Sequence, residues 1–235
     1  PLFVWMGEIL FRTKLSENLF KGLTPWLSKL PGGLIHVNVV GCALFAAISG
    51  SSAATVATVG KMSIPELRKR KYPEKLLLGS LAGSGTLGLL IPPSIILIIY
   101  GVTIEDSIAK LFMAGILPGI MLAIFFMTYV IIWSILNKRL MPKTLQNFSF
   151  AQKINQSKQL LPVVLLIASV IGSIYTGIAT ATEAASLGVV GALILSWFQK
   201  TLDKKTFRLS LLGATKTSCM IAFILAGSTF LSLAM

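Results

Sequence analysis

With 235 residues, of which 54% are hydrophobic and only 12% charged, and a mean hydropathy of +0.83, the chain has too little polar surface for a water-soluble globule and reads as a membrane protein. The net charge of +13 does not point to nucleic acid, because every Lys and Arg except Lys110 falls in four polar segments, Arg12 to Lys29, Lys61 to Lys75, Lys138 to Lys158 and Lys200 to Lys216. Basic residues gathered between apolar runs mark cytoplasmic loops, whereas an RNA-binding face interleaves them with aromatics, so the charge reports orientation.

Residues 1–33 read as the end of a transmembrane helix followed by an amphipathic arm helix. The first run, "PLFVWMGEILF", shows neither initiator Met nor signal peptide, and the chain closes inside "CMIAFILAGSTFLSLAM", which suggests a fragment of a longer protein. Leu15, Leu19 and Leu23 share one face of "TKLSENLFKGLTPWLSKL", interrupted by Pro25, as suits a helix lying along the inner surface. Glu8 is expected to cap a helix end or join an ion pair there.

Residues 34–62 are flanked on both sides by basic segments and must therefore enter and leave from the cytoplasm. About 29 residues are too few for two full spans, which need roughly 20 each. They suit a re-entrant helical hairpin with its tip at Ser49, Gly50, Ser51 and Ser52, tolerated in a bilayer only where protein or a polar cavity covers it. His36 and Asn38, at the base of the entering arm, are expected to hydrogen-bond neighbouring backbone.

Residues 76–103 contain "GSGTLGLLIPPS", whose first six residues spell G-x-G-x-x-G, with Glu105 and Asp106 beyond. A dinucleotide-binding turn needs a strand before it and an uninterrupted helix after it. Here an apolar run precedes the glycines, and Pro92 and Pro93 break any helix that they might open. Gly83, Ser84, Gly85, Thr86 and Gly88 together with the Pro pair instead favour a transmembrane helix that unwinds halfway. Such breaks release carbonyls and half-helix ends for a cation or solute at mid-membrane. The same glycines would also serve close helix contacts.

Residues 108–137 form a returning span, 138–160 a cytoplasmic linker, and 161–235 two further crossings and a last outgoing run. "TATE" at the outer turn looks like a capping box that assigns Thr180 and Glu183 to a helix start. Cys42 and Cys219 lie in apolar runs and read as buried small residues rather than a disulfide or metal pair.

Four stretches, "GGLIHVNVVGCALFAAISGSSAATVATVGKM", "GSGTLGLLIPPSIILIIYG", "LFMAGILPGIML" and "GIATATEAAS", resemble the large membrane (M) subunit of tripartite ATP-independent periplasmic (TRAP) transporters, DctM-like, in family order and through essentially the whole chain. Ala181 stands where many members have Pro. The resemblance implies an all-α polytopic membrane protein, an elevator-type transporter with inverted repeats, each holding a re-entrant hairpin and a broken helix. Residues 161–235 would begin the second repeat, and a second ion site would lie beyond residue 235. It implies sodium-driven import of organic acids such as dicarboxylates or sialic acid across the bacterial inner membrane. The implied partners are a small four-helix membrane subunit and a periplasmic substrate-binding protein, with no organic cofactor.

On this basis Na⁺ is expected among Ser49, Gly50, Ser51, Ser52, Gly83, Ser84, Gly85, Thr86 and Gly88, whose hydroxyl and carbonyl oxygens suit a hard cation. Substrate anions are expected at the half-helix opened by Pro92, Pro93 and Ser94. The rivals are an ion-coupled elevator carrier of organic anions working without a binding protein, a channel or structural subunit, and a membrane-embedded enzyme. The last would need a nucleophile with a base or paired acids at one depth, and "SGSS" has no acid beside it.

Overall fold

A computed structural model of the chain describes residues 1–13, 15–142, 150–158 and 160–234. The described secondary structure is helical throughout: α1 (Leu2–Phe11), α2 (Leu15–Leu27), α3 (Ile35–Ser49), α4 (Ser52–Lys69), α5 (Glu74–Gly85), α6 (Ile95–Thr103), α7 (Ile108–Leu136), α8 (Phe150–Ser157), α9 (Leu161–Tyr175), α10 (Ala181–Phe198) and α11 (Lys204–Ala234). A 3₁₀ turn, Thr86–Leu89, separates α5 from α6.

Among the described residues, three helices are long and apolar enough to cross a membrane: α7, α10 and α11. α1, α3 and α9 are apolar but shorter. The 15 residues of α9 rise about 22 Å, so residues 161–178 supply a shorter helix than the full crossing expected of them. Only 17% of the most apolar window of α7 and 11% of that of α11 is buried, so most of their apolar surface faces outward, as lipid or a partner requires. The architecture is that of a multi-pass membrane protein.

Two apolar clusters hold the helices together. One joins Met6, Ile9 and Leu10 of α1 to Val163 and Val170 of α9, Ala184 and Val189 of α10, and Phe45 and Ile48 of α3. The other lies at the opposite end of α3, where Leu34, Ile35 and Val37 meet Leu23 of α2, Leu67 of α4, Leu77 of α5 and Val130 of α7. The hairpin α3–α4 is thus gripped at both ends. Of the arm helix's apolar face, Leu23 is buried as expected. Leu15 and Leu19 have side chains outside the described residues. Trp26 of α2 donates its indole N–H to Ser157 Oγ at 2.7 Å and carries Lys153 over its ring, so the arm rests on α8.

Several polar residues behave as their sequence context indicates. Glu8 pairs with Arg12 at 3.0 Å across one helical turn. His36 is buried and bonds the Pro31 carbonyl oxygen through Nε2 at 2.7 Å. Asn38 differs from expectation: its amide donates to Ser80 Oγ of α5 at 3.1 Å, because α3 packs directly on α5 at that level. Cys42 is buried but Cys219 is exposed, since α11 has few neighbours on that side among the described residues.

The returning arm of the hairpin also runs past Met62 to Lys69, carrying the basic segment in helical form. A Glu66–Arg70 pair at 2.7 Å, one turn apart, supports that extension.

α10 opens on a complete capping box. Thr180 Oγ1 accepts from Glu183 N at 3.3 Å, and Glu183 Oε2 accepts from Thr180 N at 2.8 Å. Thr180→Ala is expected to cost about 1 kcal/mol, read as a lower midpoint of thermal unfolding with the fold retained. α11 is preceded by Asp203, whose carboxylate accepts from the Thr206 amide at 2.6 Å; hydrogen bonds from Thr206 hold this carboxyl below the usual range.

Candidate functional site

The hairpin turns within two residues. Gly50 ends α3 at φ +60°, a left-handed conformation that glycine adopts without strain, and Ser51 begins α4 as its N-cap, accepting from Ala54 N at 3.4 Å. Ser49 Oγ meets Thr55 Oγ1 at 3.0 Å across the turn, and both residues are buried. Ser52 Oγ is buried with no hydrogen-bond partner among the described residues.

The second half of the site is the interruption between α5 and α6. Contrary to the sequence-based expectation, the helix does not unwind at Gly83, Ser84 and Gly85; these close the last turn of α5. Glycine costs a helix only about 1 kcal/mol, which packing can offset. The unwinding falls at Thr86–Leu89 and on to Ser94, where Pro92 and Pro93 supply no amide and the Pro92–Pro93 peptide is cis. Ser94 precedes α6 as its N-cap and is fully buried, with its hydroxyl donated back to Leu89 O at 2.8 Å.

The tip sits against this interruption through main chain. Ile95 N, the first amide of α6, donates to Gly50 O at 3.1 Å. A Cβ on Gly50 would stand 2.6 Å from Pro93 O, and one on Gly88 would stand 3.0 Å from Ser52 N. One on Gly85 would collide with Val56 of α4. Glycine at these positions lets the two elements touch.

Four helix ends therefore converge: the C-termini of α3 and α5 and the N-termini of α4 and α6. Helix C-termini carry partial negative charge and N-termini partial positive charge, so one small region offers carbonyls to a cation and amides to an anion.

Of the residues expected to hold the ion, the structure brings Ser49, Gly50, Ser51 and Ser52 together with Gly85 and Gly88. It sets others apart. Gly83 faces Phe126 of α7, and Ser84 donates to Ser80 O and faces Cys42 of α3. Thr86 is exposed and donates to Gly83 O at 2.7 Å.

Four neighbours were not identified from the sequence. Thr55 closes the tip from within. Gly7 of α1 lies against it, its Cβ position only 2.8 Å from Ser49 Cα. Gly115 and Gly119 of α7 back the interruption: a Cβ on Gly115 would stand 2.5 Å from Leu90 O, and one on Gly119 2.9 Å from Ile91 Cγ1. The pair's spacing, small residues four apart in an apolar helix, was the available signal. Gly7 gives none.

The chain is thus a multi-pass helical membrane protein in which a helical hairpin is seated by main chain on an interrupted helix. The model of the family described as "Tripartite ATP-independent periplasmic transporter, DctM component" matches residues 1–235, and the chain belongs to this family.

Curated relatives include the C4-dicarboxylate TRAP transporter large permease protein DctM of Pseudomonas aeruginosa, 34% identical over 97% of this chain and 53% of its own length. The protein of that name from Rhodobacter capsulatus is 33% identical over 100% of this chain and 56% of its own length. The sialic acid TRAP transporter permease protein SiaT of Haemophilus influenzae is 32% identical over 98% and 37%. The chain spans about half the length of the first two.

Proposed function

We propose that this chain supplies the first hairpin and first broken helix of a sodium-driven importer of organic acid anions in the bacterial inner membrane. The observation that carries the proposal is the convergence of four helix ends at the Gly50–Ile95 contact, an arrangement suited to holding a cation and an anion side by side. In this reading α3–α4 is re-entrant from the cytoplasmic side, since basic residues flank it at both ends. Na⁺ lies between the tip residues Ser49 to Ser52 and the main chain at Gly85 and Gly88, with oxygens as its ligands.

Gly83, Ser84 and Thr86 shape the end of α5 rather than coordinate. The substrate carboxylate is drawn to the N-termini of α4 and α6, and Pro92, Pro93 and Ser94 brace the latter without offering it a free donor. The hairpin and the interrupted helix move as one transport domain in an elevator motion. A periplasmic binding protein delivers the substrate and a small four-helix subunit joins the scaffold, in keeping with membership of the tripartite family.

The test is uptake into proteoliposomes holding the full-length permease and its small subunit, with and without a sodium gradient and the cognate binding protein. Uptake that needs both supports the proposal. Saturable uptake without a binding protein replaces it with a stand-alone ion-coupled carrier.

Ser52 has the unpaired hydroxyl, so Ser52→Ala is expected to raise the sodium concentration for half-maximal uptake about tenfold, as for one lost contact to a charged group. Ser51→Ala should shift it less, because that hydroxyl already caps α4. An unchanged sodium requirement in both variants removes these hydroxyls from the ion site.

A further inference from the structure

A cavity of about 570 Å³ opens at the basic end of α7, well away from the hairpin tip, between the segment after α2 and the segment after α7. Lys29, Gly32, Tyr72, Ser134, Ile135 and Lys138 are among its walls, and none of its lining among the described residues is acidic. Ser134 is only 4% exposed, yet its hydroxyl has no partner among the described residues. A buried hydroxyl left unpaired costs about 1–3 kcal/mol, so a polar group that reaches it is favoured.

Glycine at position 32 lets the wall pack closely against Ser134. Gly32 adopts φ +101°, and a Cβ there would stand 3.0 Å from both Ser134 Oγ and His36 Nε2. Tyr72 OH accepts from Leu34 N at 3.1 Å, which leaves the phenolic proton to donate. His36 Nε2 is already committed to Pro31 O. The residues lining the cavity thus include two lysines, a serine with an unpaired hydroxyl and a tyrosine with a phenolic proton to donate.

We propose that this cavity binds a phosphate-bearing anion, of the kind a membrane lipid headgroup presents. The several acceptor oxygens of a phosphate match four donors, and two lysines match its charge. An amphiphile also fits the surroundings, because Ile132, Ile135 and Leu136 continue outward from the cavity as exposed apolar surface on α7. Basic pockets between membrane helices on the positive side commonly take anionic headgroups. The site is separate from the ion site and does not rest on the transport reading.

The experiment titrates the purified full-length protein in detergent with dioleoyl-phosphatidylglycerol or dioleoyl-phosphatidylcholine and counts bound lipid by native mass spectrometry. The anionic lipid is expected to bind preferentially. Lys29→Gln with Lys138→Gln should weaken it about thirty-fold, as for two basic contacts at a membrane surface. Ser134→Ala should weaken it about tenfold, and Lys29→Arg with Lys138→Arg should retain it.

Inorganic phosphate that displaces the lipid identifies the free anion as a ligand of the same site. Phosphate without effect identifies the headgroup with its chains. In the wild type, acetylation of Lys29 and Lys138 slowed by the anionic lipid supports the site even where the Gln variant is unstable. Equal binding of the two lipids, unslowed acetylation and no bound phosphate overturn the proposal.

Discussion

Gly50→Val is expected to abolish uptake by the full-length permease while leaving the protein in the membrane. Two independent costs fall on this position. Valine would be held at φ +60°, which costs an L-residue about 1–2 kcal/mol. Its Cβ would also meet the Pro93 carbonyl at 2.6 Å, a main-chain neighbour that cannot rotate away, and overpacking of this kind costs about 1–3 kcal/mol. Together they exceed the net worth of the Gly50 O to Ile95 N hydrogen bond, about 1 kcal/mol, so the tip leaves its seat.

Gly50→Ala should show the same loss in milder form. Gly172→Ala, where nothing lies within 4 Å, is the control and should leave uptake unchanged. Normal sodium-dependent uptake by Gly50→Val would mean that the tip and the interruption do not act together.

The second large effect is expected at Gly115→Leu, this time on stability. A Cβ there stands 2.5 Å from Leu90 O and 3.0 Å from Leu97 Cδ1, so a leucine must drive α7 away from the interruption that it backs. The cost is about 3 kcal/mol or more, read as a sharply lower unfolding midpoint and poor yield.

Gly119 makes the instructive comparison. Its nearest neighbour is a side-chain carbon, Ile91 Cγ1 at 2.9 Å, which a rotamer change can move, so Gly119→Ala should be tolerated far better than Gly115→Ala. Equal effects at the two positions would show that α7 and the interruption separate easily, and that main-chain contact at Gly115 does not set their spacing.

The turn of the hairpin was readable from the sequence because its signal is global: about 29 residues between two basic segments are too few for two spans, and the chain does reverse within them, at Gly50 and Ser51. Its tip was readable because Ser49 to Ser52 combine small size with hydroxyls. The interruption was readable through Pro92 and Pro93, which forbid a helix, but its edge was misplaced, since glycine only disfavours helix and Gly83 to Gly85 stay inside α5.

Contacts between distant segments stayed hidden. Gly7 touches Ser49, and Asn38 finds Ser80 42 residues away, and neither periodicity nor composition encodes such meetings. Thr55 was hidden for a related reason, because its bond to Ser49 exists only once the turn at Gly50 has closed.

The seat of the hairpin tip is made from a carbonyl at position 50 and an amide at position 95, groups that nearly every amino acid supplies. Contact between the tip and the interruption is therefore independent of side-chain identity at position 95. Position 50 has almost no freedom to vary, whereas Ile95 and the side chains around it can drift without unfastening the tip. Under the proposed function, that separation is an evolutionary route by which one scaffold could accept dissimilar solutes.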